Sequence, residues 1–280
     1  MKLLSSDTIR RCFIADPGHL IFSADFDQVE LRVAAGLAGE TKLIEAAKKG
    51  ESLHALTATE LFGPDYNPDQ YRYAKNVTFG WLFGGGAKTL SDQAGIPIKQ
   101  AAEIVARFTR AYPAMAAYKK RQQEGILLTA LSSGEYKLYT SLRKRMFDYR
   151  GDTSEGRRAR AVIGIEIERL CWRKRGYVVT PYGRRLIVDA AKPYAATNYI
   201  VQSTARDIMA EALLRVMGDP EVGGMVLLPI HDELLGQAPR ALAEHSAKRF
   251  GEIMSTEFEG VPITASGKVY GKSWGHGYRK

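Results

Sequence analysis

Two stretches of this chain place carboxylates where metal-assisted chemistry could use them. Leu20-Ile21-Phe22 is an apolar run that leads to Asp25, and a helix-like segment follows. The pattern reads as a buried strand delivering an acid to its exposed end. The second stretch is Val226-Leu227-Leu228-Pro229-Ile230 followed by His231-Asp232-Glu233, with Asp232 lying 207 positions after Asp25. Hard oxygen donors at the ends of two apolar strands can hold two hard cations between them, and such a pair performs phosphoryl transfer.

A helix candidate between the two stretches carries complementary chemistry. Asp69–Phe83 begins just after Pro68, a first-turn residue, and stops at Gly84-Gly85-Gly86. At about 100° per residue, Arg72, Lys75, Phe79 and Phe83 share an arc of about 80°, with Tyr71 at its edge. At about 1.5 Å rise per residue, Arg72 to Phe83 spans about 16 Å. Two cations at one end and two rings toward the other match a nucleoside triphosphate, with its phosphates and its flat base. A plainer reading stays open here: rings in the core and cations in solvent.

Composition frames these residues. A length of 280 residues at 45% hydrophobic suffices for one large domain or two modest ones. Forty Lys and Arg against 31 Asp and Glu give a net charge of +9, which favours a polyanionic partner. Cys12 and Cys171 stand far apart in no metal-binding spacing and read as reduced thiols of a cytoplasm-like compartment. No apolar run approaches about 18 residues and the start has no signal-peptide pattern, so the expectation is a soluble protein with no membrane partner.

The elements that must hold the candidate residues follow from periodicity and breakers. Gln28–Leu37, Lys42–Lys48 and Glu51–Phe62, which carries His54, read as helices. Lys88–Ala94, Lys99–Tyr112 and Ala114–Gly125 read as more, broken at Pro97 and Pro113, so residues 66–125 form a mostly helical insert. Leu131–Arg160 is polar, basic and dotted with Gly and Ser. It reads either as a solvated loop or as a surface touching nucleic-acid backbone. Ala161–Arg173 reads as a helix, and Tyr177–Thr180 and Arg185–Val188 flank Pro181-Tyr182-Gly183 as a hairpin. Tyr199–Met217 is a long helix, and Val226–Ile230 and Glu233–Gln237 pair around His231-Asp232. Ala241–Phe258 is an amphipathic helix and Ile263–Tyr270 a last strand. Helices cluster instead of alternating with strands, and strands far apart in sequence must pair. The fold class is therefore α+β: an antiparallel sheet packed on helices, with a helical subdomain inserted.

With these residues in view, the sequence resembles the family A DNA polymerases, the bacterial DNA polymerase I-like group. SADFDQVELR resembles the family's motif A, KNVTFGWLFG its motif B and LPIHDELL its motif C. NYIVQSTARDIM resembles the segment whose Gln touches primer-template. One such match is a weak signal; four in family order are specific. The resemblance covers about residues 8–275, the family's palm and fingers. It implies a palm at residues 1–65 and 177–280, fingers at 66–125, and a basic insertion with a helix at 126–176.

The resemblance implies a template-directed DNA polymerase that adds dNTPs to a primer 3′-hydroxyl, with primer-template DNA as partner and two Mg2+ ions as cofactor. Asp25, Asp232 and the main-chain carbonyl of Phe26 are the implied metal ligands, with Glu233 supporting them. Lys75 is implied to contact the triphosphate and protonate the leaving group, with Arg72 and His54 near the phosphates. Phe79 is implied to pack on the incoming sugar, and Phe83 keeps the ring of a family Tyr without its hydroxyl. Glu30 is the implied steric gate against a 2′-hydroxyl, with Gln28 nearby among the substrate-binding residues. Asn198 and Gln202 are implied to hold the terminal base pair from the minor groove, and His231 to contact the primer terminus.

The match departs from the family pattern in places. Tyr71 stands where the family has Arg, Tyr194 where a basic residue is common, and Asp27 where the family has Ser. Asp27 reads as a spectator acid, and Leu131–Arg160 looks inserted. The chain starts just before motif A, so the expectation is no thumb and no proofreading exonuclease, unless a second chain supplies them. The basic stretch Tyr270–Lys280 is expected to add backbone contacts. Two rival functions stand beside this one. Glu30 and the His-Asp-Glu order argue against a single-subunit RNA polymerase. Asp25, Asp232 and Lys75 argue against a non-catalytic DNA-binding subunit. A phage and a bacterial origin fit equally.

Overall fold

Caps, prolines and glycines punctuate the chain into helices and strands, and the computed structural model describes residues 6–278. In chain order the elements are α1 (Ser6–Arg10), β1 (His19–Phe26), α2 (Val29–Ala38), α3 (Thr41–Lys48), α4 (Leu53–Phe62), α5 (Pro68–Leu82) and α6 (Ala87–Ala94). Next come α7 (Ile98–Ala111), α8 (Pro113–Ala130), α9 (Ser133–Asp148), α10 (Ser154–Cys171), β2 (Arg175–Val179), β3 (Arg185–Asp189) and α11 (Ala195–Met217). The chain closes with β4 (Val226–Ile230), β5 (Glu233–Pro239), α12 (Ala243–Met254), β6 (Thr256–Phe258), β7 (Val261–Ile263) and β8 (Ala265–Gly271). The fold is α+β, as expected. One compact unit takes the chain up to Leu53 and again from Thr204; the other is His54–Ser203.

The first unit is built on an antiparallel sheet in the order β4-β5-β1-β8. Residues Ile21 to Ala24 of central β1 are all buried, the apolar Ile21, Phe22 and Ala24 together with Ser23, as a strand covered on both faces requires. Phe22 turns toward α12 and meets Phe250 edge-on at 4.7 Å. Missing side chains let these layers close. A Cβ at Gly267 would stand 2.0 Å from the Ala247 carbonyl oxygen, and one at Gly236 would stand 2.6 Å from the Phe22 ring. Ile21, Leu235 and Trp274 form another buried cluster, with Tyr270 packed against it.

In the second unit, aromatic packing holds α5. Asn67 caps it: the Asn67 side chain accepts from the Gln70 amide and the Gln70 side chain accepts from the Asn67 amide. Trp81 on its buried face meets Phe108 at 5.4 Å, and Phe108 meets Tyr112 at 5.0 Å. The Tyr112 and Thr57 hydroxyls share a hydrogen bond of 2.9 Å, which ties the end of α7 to α4. From α8, Lys119 donates to the Trp81 carbonyl at 2.5 Å and lies 4.1 Å from the Trp81 ring. Hairpin β2–β3 lies on α8, where a Cβ at Gly176 would fall 2.2 Å from the Ile126 carbonyl oxygen.

Two expectations give way. Leu131–Arg160 is not a loop but α9 and the start of α10. Ser132 and Glu135 form a capping box at α9, and Thr153 accepts from the Gly156 amide at 3.0 Å to cap α10. Lys174 pairs with Glu135, and its hydrogen bond leads the causes that hold that carboxyl down at about 2. Further on, α12 ends at Met254, and Thr256–Phe258 turns back as a hairpin with Val261–Ile263. Glu259 and Gly260 take positive φ at that turn. Hairpin β2–β3 packs on α8 and pairs with no strand of the four-stranded sheet. Cys12 and Cys171 are both free thiols. Among the described residues, no helix is long and apolar enough to cross a membrane. The basic C-terminal stretch expected to touch DNA runs on into residues 279–280, which lie outside the described residues.

Burial pushes the Lys119 amine down to about 8 from its ordinary 10.5. Between these values the unfolded chain keeps a proton that the folded chain has released, so stability from this group rises with pH. From pH 8 to 10.5 the unfolding free energy of the wild type should gain about 2 kcal/mol more than that of Lys119→Met, measured by urea denaturation. Parallel pH curves for the two proteins would show that the amine keeps its hydration.

Candidate active site

Strand β1 and the hairpin β4–β5 end together. Asp25 stands in register with Glu233 on β5, and the Phe26 amide donates to the Asp232 carbonyl at 3.1 Å. Directly opposed residues of an antiparallel pair share a face, so the Asp25 and Glu233 side chains are neighbours. The turn that brings in Asp232 is only two residues long, and His231 takes a φ of 55°, a left-handed conformation costly for any residue with a Cβ.

The Asp25 carboxylate opens to water on one side, while protein mass behind it strips part of its hydration. Burial, then the charges of Asp232, Glu233 and Asp27, push its pKa up to about 7. Burial raises Asp232 as well. Where acids crowd one space, ionising the first makes the next harder. Crowded carboxylates repel one another in the protein alone and suit a hard cation well. Asp25, Asp232 and the Phe26 carbonyl therefore fit the magnesium that the resemblance implies. Among the described residues, no cluster of three or more His, Cys, Asp and Glu side chains is built to hold a metal, so the fit rests on two carboxylates and main-chain oxygen.

Arg32 is a residue the sequence reading missed. It is 2% exposed, and its Nε donates to the Asp27 carbonyl at 2.7 Å. Nη2 donates to the Asp27 carboxylate at 2.8 Å and Nη1 to the Pro262 carbonyl of β7 at 2.7 Å. Gln28, the left-handed N-cap of α2, donates to the other Asp27 oxygen at 3.1 Å. Asp27 is thus no bystander to the fold. It neutralises a buried guanidinium that pins the start of α2, where Glu30 sits in the first turn. Tyr270 was missed too; its hydroxyl donates to Glu233 Oε1 at 2.8 Å.

The remaining candidates lie in the second unit. Arg72, Lys75 and Phe83 are exposed and Phe79 is half-buried, whereas Ala74, Val77, Thr78, Trp81 and Leu82 face the core. The plainer reading therefore fails for the rings, since Trp81 fills the core in their place. Phe79 stacks on Phe83 at 6.0 Å, and buried His54 lies 5.5 Å from Phe79. Arg72 pairs with Asp69 at 2.8 Å in the first turn. A cavity of about 670 Å³ opens beside the two rings, bounded also by Gly84, Thr89 and Tyr194. Gly84 has φ 82°, and a Cβ there would lie 2.3 Å from the Tyr194 ring. On α11, Asn198 Oδ1 is buried with no hydrogen-bond partner among the described residues, the kind of acceptor a ligand or water satisfies, and Gln202 is exposed one turn on.

The sequence profile of DNA polymerase family A matches residues 2–160 and 166–276. The chain belongs to the family A DNA polymerases. It is 34% identical over 273 residues to a DNA polymerase of Mycobacterium phage D29, covering 97% of this chain and 37% of that protein. It is 30% identical over 281 residues to the thermostable DNA polymerase I of Thermus aquaticus, covering 95% of this chain and 28% of that one. The chain thus spans well under half the length of these relatives. A solved structure, the POL domain of Pol1 from M. smegmatis in complex with DNA primer-template and dNTP, shares its fold with a TM-score of 0.71 at 22% identity. That likeness covers 100% of this chain and 44% of the solved one.

Breaking a buried ion pair from one side costs about 3–5 kcal/mol. The Asp27 side chain is 47% exposed, which dilutes this, so Asp27→Ala should cost about 1–3 kcal/mol and Asp27→Asn, which keeps an acceptor, less. Chemical denaturation measures both. Unchanged stability of Asp27→Ala would mean that the two carbonyls satisfy Arg32 alone.

Proposed function

We propose that this chain carries the palm and fingers of a template-directed DNA polymerase that adds dNTPs to a primer 3′-hydroxyl. The observation that carries the reading is the meeting of Asp25 and Asp232 at adjoining strand ends in a family A polymerase chain. Asp25, Asp232 and the Phe26 carbonyl would hold two magnesium ions, and Glu233 would steady the site. When bound, such ions supply activation of the primer hydroxyl and neutralisation of the leaving pyrophosphate. Lys75 and Arg72 receive the triphosphate, Lys75 gives a proton to the leaving group, and His54 lies by the phosphates. Phe79 packs on the sugar and Phe83 offers its exposed ring to the base. Glu30, with Gln28 beside it, excludes a 2′-hydroxyl. Asn198 and Gln202 hold the terminal pair from the minor groove, and His231 meets the primer terminus. No covalent intermediate is needed, because positioning and charge supply the rate.

The DNA backbone meets α9 and α10 in this reading. Residues 131–175 hold twelve Lys and Arg against six Asp and Glu, which is +6 of the chain's +9. Tyr136 and Tyr139 of α9 pack inward with Leu131, whereas Lys137, Lys144 and Arg145 are exposed. A cationic face of this kind is what phosphate neutralisation requires.

Primer extension with magnesium and four dNTPs tests the chemistry. Asp25→Ala and Asp232→Ala should each lower extension by about 10³-fold or more, the scale of removing one fixed electrostatic partner, while DNA affinity stays nearly unchanged. Loss of binding in step with activity would reduce both acids to structural residues.

Replacing Lys137, Lys144 and Arg145 together by Gln should flatten the slope of log affinity against log salt. The expected change is up to about 2.7, at about 0.9 for each phosphate no longer neutralised. An unaltered slope would place the DNA elsewhere.

A further inference from the structure

We propose that Tyr270 is the positioning residue for the Glu233 carboxylate, with Ser23 completing the hydrogen-bonded chain that fixes it. The inference rests on the reading of Asp25 and Asp232 as a metal site. Strand β8, which carries Tyr270, lies on one side of β1, and β5, which carries Glu233, lies on the other. Tyr270 reaches across β1 to close this gap. Its hydroxyl donates to Glu233 Oε1 at 2.8 Å and accepts from Ser23 Oγ, on β1 itself, at 3.1 Å. The direction of the chain is dictated by chemistry. A carboxylate only accepts, so the one phenolic proton goes to Glu233 and the Ser23 proton goes to the phenol.

Three features make this a built arrangement and not a chance contact. Ser23 is 1% exposed and Glu233 is 9% exposed, so each hydrogen bond replaces water that cannot reach the group freely. The Tyr270 ring packs against the apolar cluster of Ile21, Leu235 and Trp274, which leaves the hydroxyl little freedom. Glu233 stands in register with Asp25, so the position and effective charge of its carboxylate bear directly on that acid. A donor of fixed geometry holds Glu233 in one rotamer and draws off part of its charge. Outer partners of this kind typically matter about 10- to 100-fold in metal affinity or activity.

Tyr270→Phe removes the hydroxyl and keeps the ring. In the full chain its unfolding midpoint should fall, and the same change made in a Glu233→Ala background should lower the midpoint by less, since only the Ser23 hydrogen bond is then lost. Binding of Mn2+, followed by electron paramagnetic resonance, should weaken about 10-fold in Tyr270→Phe and weaken no further when Tyr270→Phe is added to Glu233→Ala. In primer extension kcat should fall and the half-saturating Mg2+ should rise, with the KM for dNTP little changed. Ser23→Ala should repeat the pattern more weakly. Additive losses in the double variant, or wild-type behaviour of Tyr270→Phe, would overturn the proposal. A wild-type chain that binds no Mn2+ and extends no primer sinks the metal-site reading, and the stability cycle then still decides whether Tyr270 and Glu233 act together.

Discussion

Like charge gathered at one end of an antiparallel sheet is the constraint on which the first unit depends. A carboxylate brought beside others in a partly dehydrated place resists ionisation, as Asp25 does with a pKa of about 7. Such a cluster keeps its geometry only on a stiff support. Strand β1 supplies one: it is paired on both edges, buried along Ile21–Ala24, and runs in register with β5 from His19 to Asp25. A slip of one residue would send Asp25 to the opposite face. The close contact of Gly267 with α12, and the space that Gly236 leaves for Phe22, lock the register from the side. Sheet packing and site electrostatics are thus one problem with one solution.

The four acids there are not treated alike. Asp27 answers a buried guanidinium, and Glu233 accepts from a phenol. Asp25 and Asp232 remain at the rim, and burial raises both. Two acids anchor and two repel. The anchoring pair also reaches outward, because Arg32 binds Asp27 and Pro262 at once and so fixes the first turn of α2, where Gln28 and Glu30 stand. Asp27 therefore sets what Arg32 is bound to, and with it how firmly α2 is seated.

What could be read from the sequence was whatever repeats locally. The apolar runs ending in Asp25 and Asp232 follow strand periodicity, and the wheel of α5 separates Phe79 and Phe83 from Trp81 without any coordinates. Helix α9 was equally written, in Ser132 and Glu135, but the charge and scattered Gly and Ser of Leu131–Arg160 read more loudly than the capping box. The overlong reading of α12 has a similar cause, since Phe258 continues the apolar period past the real end at Met254. Arg32 and Tyr270 are of another kind. Besides nearby Asp27, Arg32 reaches Pro262 at 230 residues, and Tyr270 reaches Glu233 at 37; no local pattern announces hydrogen bonds between such distant segments.

Helix α5 shows the same logic in the second unit, with apolar surface in place of charge. Leaving Phe83 40% exposed forgoes burial worth about 1–2 kcal/mol, and a helix kept only for structure would turn that ring inward. The core behind it is already filled by Trp81 and Phe108, so the rings on the outer face have no place there. Both ends of the helix are pinned independently of that face. Asn67 and Gln70 close its N-terminus, and the Lys119 amine meets the Trp81 carbonyl near its C-terminus, where the helix dipole favours positive charge. Lys119 holds this position although burial lowers its pKa. A helix fastened at its ends and at its back keeps its front rigid. Stacked Phe79 and Phe83 then present a preformed apolar wall beside the cavity, and a wall that need not reorganise costs a flat ligand little ordering on arrival.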